Sequence, residues 1–88
     1  MQVDAAPPQI ELQVYQTALA EGKITEKERL LWEYVLSAYG TEEFTTKQLE
    51  KDFRNAAYAT IRTFVMKFHE MGLLAARKVG NRVFYKIA

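Results

Sequence analysis

Basic side chains are concentrated in the second half of the sequence. Residues 54–88 contain seven Lys or Arg and one acid, Glu70, whereas residues 1–53 contain five Lys or Arg and ten Asp or Glu. The net charge of +1 therefore combines +6 in one part of the chain with −5 in the other. Cations at this density suit the phosphates of a nucleic acid, although Lys and Arg also commonly occupy solvent-facing strand positions. The charge pattern favours a nucleic acid as partner.

Residue types that carry catalysis are present without the partners that catalysis needs. His69 is the only histidine, and no second ligand or nucleophile accompanies it. The acids at 26, 28, 42 and 43 fall at a helix start and in a turn, where carboxylates interact favourably with a helix dipole. The absence of cysteine excludes a disulfide framework and a thiolate zinc site. We expect no enzyme activity, no metal and no cofactor.

The length and composition favour one small domain. A chain of 88 residues, 49% of them hydrophobic, can bury one modest core. The apolar runs are far shorter than the roughly 20 residues needed to span a bilayer, and the first residues lack the pattern of a signal peptide. We expect a soluble, cytoplasmic protein with no membrane contact.

Two helices are predicted in the first half. Residues 1–8 read as an extended lead-in because Pro7 and Pro8 disfavour helix before them. A helix over 9–21 has apolar side chains around half its circumference, which predicts contact with a second subunit or with another domain of a parent protein. Thr25 and Glu28 have the spacing of a capping box and open a central helix over 26–39.

Two further helices and a hairpin are predicted in the second half. Thr45 and Thr46 open a short helix over 46–53, and apolar side chains at helical spacing predict a longer helix over 56–71 that ends at Gly72. From residue 73 to 87 the apolar period changes to two, with Gly80–Asn81 as a two-residue loop. Pairing of Val79 with Arg82 separates two faces. Leu74, Ala76, Val83, Tyr85 and Ile87 then face the core, and Arg77, Arg82, Phe84 and Lys86 face solvent or a ligand.

Residues 25–88 resemble the winged helix-turn-helix domains of bacterial regulators. The run Ala59-Thr60-Ile61-Arg62, followed by Phe64, Val65, Phe68 and Met71-Gly72-Leu73-Leu74, is similar to the recognition helix of that superfamily. The segment Arg77 to Tyr85, basic and aromatic around a glycine turn, is similar to its wing. The expected fold is mainly α with a small antiparallel β-hairpin, in a single domain over 9–88 that carries an extra N-terminal helix.

The resemblance implies double-stranded DNA as partner, with the recognition helix in the major groove. It assigns base contacts to Tyr58, Ala59, Arg62 and Thr63. It assigns contacts with the DNA backbone to Thr45, Thr46, Lys47, Lys67, Arg77, Asn81, Arg82 and Lys86. Ala57 stands where many members have a capping serine, so the helix lacks its usual cap unless Asn55 supplies it.

A protein partner is the alternative to DNA. The chain would then be a winged-helix interaction module at the C-terminus of a larger multidomain protein. Residues 9–21 would form a homodimer or pack on the parent protein. Met66, on the outer face of the recognition helix, suits either a thymine methyl group or a protein interface.

Overall fold

Four helices are followed by a two-stranded antiparallel sheet. A computed structural model describes residues 9–88, with side chains from residue 13 onward, so the predicted lead-in over 1–8 lies outside the described residues. The elements are α1 (Gln9–Ala20), α2 (Glu26–Ala38), α3 (Thr46–Phe53), α4 (Tyr58–Glu70), β1 (Leu74–Val79) and β2 (Arg82–Ile87). The predicted fold class, mainly α with one small hairpin and an extra N-terminal helix, is confirmed.

The capping box at the start of α2 has the predicted geometry. The Thr25 hydroxyl accepts a hydrogen bond from the Glu28 amide at 3.1 Å, and the Glu28 carboxylate accepts one from the Thr25 amide at 3.0 Å. Two backbone N–H groups that helix formation leaves without partners are thereby satisfied. The box fixes where α2 begins.

Replacing Thr25 with alanine is expected to lower the free energy of unfolding by about 1 kcal/mol, because one helix N–H loses its acceptor. Urea unfolding followed by circular dichroism measures the change. Thr41→Ala is the matched control, since Thr41 lies exposed in a turn and such surface changes usually stay within about 0.5 kcal/mol. Equal losses in the two variants would contradict the capping role.

The core is organised around the aromatic ring of Phe68. Its centroid lies 4.4 Å from that of Phe64 and 5.2 Å from that of Trp32. Tyr15 of α1 stacks on Trp32 at 5.9 Å and lies 6.4 Å from Phe68, so α1 packs on α2 and α4 through this ring. Leu19 remains 39% exposed, which leaves part of the apolar surface of α1 uncovered by the described residues.

Helix α4 begins two residues later than predicted. Its N-cap is Ala57, which provides no side-chain hydrogen bond, and Asn55 does not replace it. The chain enters the helix through Arg54, which ends α3 in a left-handed conformation with φ of 65°. The prediction placed the start of this helix at residue 56 because the apolar spacing continues through Ala56. In the structure, residues 54–57 form the connection between α3 and α4. At the other end, Gly72 has φ of 81°, as predicted for a helix stop.

The hairpin has the predicted register, with Val79 opposite Arg82 and Leu74 opposite Ile87. Gly80 has φ of 61°, the left-handed value that the two-residue loop requires. The core assignment was too broad, however. Leu74 is buried, whereas Ala76 is exposed and Val83 is half-buried, because the hairpin extends beyond the core toward its turn.

The hairpin is joined to the connection between α2 and α3. The amide of Phe44 donates to the carbonyl of Tyr85 at 2.8 Å, and the amide of Tyr85 donates to the carbonyl of Phe44 at 2.8 Å. Phe44 is buried, and its ring stacks on that of Tyr39 at 4.8 Å. This short bridge adds a third partner to the sheet and sets the position of β2 relative to the helices.

Candidate nucleic-acid interface

An open groove lies between α3, α4 and the hairpin. Its lining is formed by Thr45, Thr46, Lys47, Tyr58, Arg62, Met66, Asn81, Arg82, Val83 and Tyr85. Seven of the twelve residues predicted to contact DNA are among these ten. Three segments that are far apart in the sequence therefore contribute to one surface, which we call the groove.

The groove is positively charged. Its lining includes three cations, Lys47, Arg62 and Arg82, and no acid. All three are exposed, and none forms an ion pair with another side chain that the structure describes. Unpaired cations on a concave surface concentrate positive potential and attract polyanions. The electrostatics of the groove suit a phosphate backbone.

The start of α3 contributes hydrogen-bond donors to the groove. The Thr45 hydroxyl accepts from the Gln48 amide at 3.0 Å and caps the helix, so its own hydrogen remains as a donor. Thr46 and Lys47 follow in the first turn and line the groove beside it. Helix starts present backbone N–H groups that bind phosphates. This end of α3 is suited to a backbone contact.

The groove side of α4 carries an exposed ridge of three side chains, Tyr58, Arg62 and Met66, spaced four residues apart. The opposite face of the helix is buried through Ile61, Phe64, Val65 and Phe68, so packing fixes which side faces outward. Ala59 and Thr63, also predicted to contact bases, are exposed but do not line the groove. The ridge is the part of α4 best placed to reach a ligand in the groove.

Lys67 has a structural partner. Its ammonium group donates to the Glu28 carboxylate at 2.9 Å and to the backbone carbonyl of Lys23. Glu28 is only 6% exposed and also accepts from the Thr25 amide, so the pair joins α4 to the start of α2. If Lys67 turned to another partner, the nearly buried Glu28 carboxylate would lose the cation that compensates its charge, which is unfavourable. The predicted contact of Lys67 with DNA is therefore revised, and Lys67 is left out of the proposed interface.

Arg77 lies outside the groove in a bidentate ion pair with Glu43. The guanidinium donates to the two carboxylate oxygens at 2.8 and 2.7 Å, and it also lies 5.1 Å from the centre of the Phe84 ring. The hydrogen bonds from Arg77 hold the pKa of the Glu43 carboxyl below its usual value, so the pair is fully charged at neutral pH. Glu43 thereby places a negative charge beside the middle of β1.

Glu43→Gln is expected to raise affinity for duplex DNA about two- to fivefold at low salt, which matches the energy of an exposed ion pair. The change removes an acid and frees Arg77 for a phosphate, so the salt dependence should steepen by about one released counterion. Fluorescence anisotropy with a labelled duplex measures both quantities. Glu42→Gln removes the same charge one residue away without releasing an arginine. Identical behaviour of the two variants would mean that only net charge matters.

The groove also contains residues that the sequence assigned to the core. Val83 lines it near the hairpin turn, and Tyr85, which is half-buried and packs against the core as predicted, lines it as well. Alternation in the strand indicated their shared face but could not indicate where the core ends. Asn81 lies in the hairpin loop at the groove, and Lys86 is exposed on the outer hairpin face.

His69 has a local structural contact. Its Nδ1 donates to the carbonyl of Leu74 at 2.9 Å, and its ring lies 6.2 Å from that of Tyr85 in an edge-on arrangement. Among the described side chains, those of residues 13–88, no three His, Asp or Glu come together in a group that could hold a metal ion. In the same part of the chain, no helix has the length and apolar character needed to cross a membrane.

Two solved structures of similar fold are PerR chains. One concerns peroxide sensing and gene regulation by PerR from Streptococcus pyogenes; its TM-score is 0.68 at 19% identity, and the match covers 89% of this chain and 56% of that chain. The other is GAS PerR-Zn-Zn, with a TM-score of 0.69 at 19% identity, covering 97% of this chain and 60% of that one. No family model matches the sequence. No curated protein matches it significantly.

The chain spans a little over half the length of these PerR chains. At 19% identity the likeness concerns the fold, and it agrees with the order of helices and hairpin described above. The chain has a winged helix-turn-helix fold, with α3 and α4 as the helix-turn-helix and the β1–β2 hairpin as the wing.

Proposed function

We propose that this chain is a duplex DNA-binding domain that acts in transcription regulation or in another DNA transaction. Helix α4 enters the major groove, and the start of α3 and the wing contact the sugar-phosphate backbone on either side. In a prokaryotic cell this role places it in the cytoplasm with the chromosome. It needs no catalytic residue, metal or cofactor of its own.

The observation that carries this proposal is the convergence of three unpaired cations and no acid on one groove. These cations come from α3, α4 and the wing, which are the elements that a winged helix presents to DNA. The gene regulation named for the PerR neighbour gives further support.

The proposed contacts divide into two classes. Arg62 reads a base, because a guanidinium can donate two hydrogen bonds to guanine in the major groove. Tyr58, Ala59 and Thr63 are the other candidates for base contacts. The positioning contacts with phosphate come from Thr45, Thr46, Lys47, Asn81, Arg82 and Lys86, with Arg77 available when its pair with Glu43 opens.

The salt dependence of binding tests this function. If Lys47, Arg82 and Lys86 each neutralise one phosphate, the binding constant should fall by about 40-fold between 50 and 200 mM salt, following a slope of about −0.9 per phosphate contact. Anisotropy titrations of the chain with a mixed-sequence duplex provide the measurement. Absence of binding at 50 mM salt, or a decrease smaller than about threefold, would overturn the proposal.

The protein-interaction alternative is favoured by one specific observation away from the groove. Leu19 is 39% exposed and Leu36 is 46% exposed, and both belong to the first two helices. Leu19 suits a second copy of the chain or another domain of a parent protein, with residues 9–21 as the contact, and Leu36 of α2 is a further exposed apolar side chain. Sedimentation equilibrium distinguishes a second copy of the chain from another domain, because only a homodimer increases the average mass as the chain concentration rises. Leu19→Glu should abolish this increase.

A further inference from the structure

Met66 is a large apolar side chain that is not packed into the core. It is 48% exposed on α4, whereas the buried side of the same helix packs Phe64 and Phe68 into the core. It also lines the groove, one helical turn after Arg62. An apolar side chain at such a position contributes little to stability and is available for contact with a ligand in the groove.

The neighbours of Met66 restrict what that ligand contact is. Arg62 on the same ridge and Arg82 across the groove are both exposed and unpaired among the described side chains. Met66 is thus an exposed apolar side chain that shares the groove with two cations. A ligand that contacts all three side chains combines negative charge with an exposed apolar group.

The major groove of DNA offers such a combination. Phosphates border it, guanine presents two acceptors to an arginine, and the C5 methyl group of thymine is an apolar feature of the base edges. The flexible and polarisable thioether of methionine adapts readily to an apolar group of this size. Met66 therefore matches thymine, in the way that Arg62 matches guanine.

The spacing of the ridge limits where the two bases lie. Four residues of helix advance about 6 Å along its axis, and successive base pairs are about 3.4 Å apart. The separation of Arg62 and Met66 along the helix axis therefore corresponds to about two base steps if the helix is parallel to the DNA axis. It corresponds to about one base step if the helix is strongly inclined to the DNA axis. The two contacts fall on base pairs close together in one site.

We propose that Met66 is a specificity-determining residue that contacts the C5 methyl group of a thymine one or two base pairs from a guanine bound by Arg62. The proposal rests on the DNA-binding function proposed above and adds to it a base identity. Binding sites of this chain then contain a guanine and a thymine at that separation.

Removal of a single methyl group from the DNA tests the contact. Duplexes are first selected from a random pool with the unaltered chain. The thymine near the conserved guanine is then replaced by deoxyuracil, which has the same hydrogen-bonding groups and lacks the methyl. We expect affinity to fall about fourfold, which corresponds to about 0.8 kcal/mol for one buried methylene-sized group.

Two variants of Met66 provide the controls. Met66→Ala should bind the thymine and uracil duplexes within about 1.5-fold of each other, whereas Met66→Leu should keep the preference. An equal uracil effect in the unaltered chain and in Met66→Ala would overturn the proposal, as would selected sites without a thymine at that separation. Failure to select any duplex would instead reject DNA binding itself. In that case, a complex between the unaltered chain and a protein partner that Met66→Ala no longer forms would assign this side chain to a protein interface.

Discussion

Replacing Phe68 with alanine is expected to lower the free energy of unfolding by about 3 to 5 kcal/mol, the range for deleting a buried phenyl ring. The ring is fully buried and contacts Phe64, Trp32 and Tyr15, so its loss opens a cavity where α1, α2 and α4 meet. Small domains have only about 5 to 15 kcal/mol of stability in total. The loss is therefore a large part of the stability expected for this domain, and DNA binding should weaken to the extent that the variant unfolds.

The single tryptophan makes this change measurable. Trp32 lies 5.2 Å from Phe68, so its fluorescence reports directly on the core during urea unfolding. Met66→Ala is the matched control on the same helix, because Met66 is 48% exposed and its truncation leaves no cavity. A loss below about 1 kcal/mol for Phe68→Ala would show that the core is not centred on this ring.

The second large effect is expected from the two arginines of the groove. Arg62→Ala should remove discrimination at one base pair, by about 1 to 3 kcal/mol, because the bidentate contact with guanine is lost. Arg82→Ala should weaken binding to every duplex by a similar factor and make the salt dependence shallower by about one counterion. Competition binding against a panel of single-base-pair variants separates these outcomes.

Both arginines are exposed and without an ion pair among the described side chains, so neither replacement should disturb the fold. Unchanged urea midpoints would establish this point. Equal losses on every sequence for both variants would reject the division into a base contact from α4 and a backbone contact from the wing.

Much of the fold is encoded in short-range signals. Thr25 and Glu28, three residues apart, each accept a hydrogen bond from the backbone amide of the other. Gly80 provides the left-handed backbone conformation that the hairpin loop needs. Alternation along residues 73–87 then sets the hairpin register. Each of these features depends on neighbours in the sequence, so a periodic pattern or a capping motif is sufficient to predict it.

The parts of the site that the sequence did not predict depend on long-range partners. Glu28 and Lys67 are 39 residues apart, and Glu43 and Arg77 are 34 residues apart. A basic side chain looks the same in the sequence whether it ends in solvent or against a buried carboxylate. Lys67 and Arg77 were assigned to DNA for this reason, whereas the packing of α4 on α2, and of the hairpin on the connection after α2, gives each an acidic partner.

The groove could be predicted in outline because α4 has one clearly apolar face. Burial of Ile61, Phe64 and Phe68 places Arg62 and Met66 outward. The participation of Tyr85 could not be predicted in the same way, since its strand face continues from the core into the groove without a break in the pattern. The boundary between core and groove is set by how far the hairpin extends past the helices.

The groove between α3, α4 and the wing is expected to bind duplex DNA. The most direct measurement is an amide chemical-shift titration of the labelled chain with a short mixed-sequence duplex at low salt, repeated at higher salt. The account predicts shifts concentrated in residues 45–47, 58–66 and 81–86 that fade as salt rises, with α1 unaffected. No shifts at low salt would contradict it and favour a protein partner, whereas shifts confined to residues 13–36 would contradict it by assigning the DNA to a different surface.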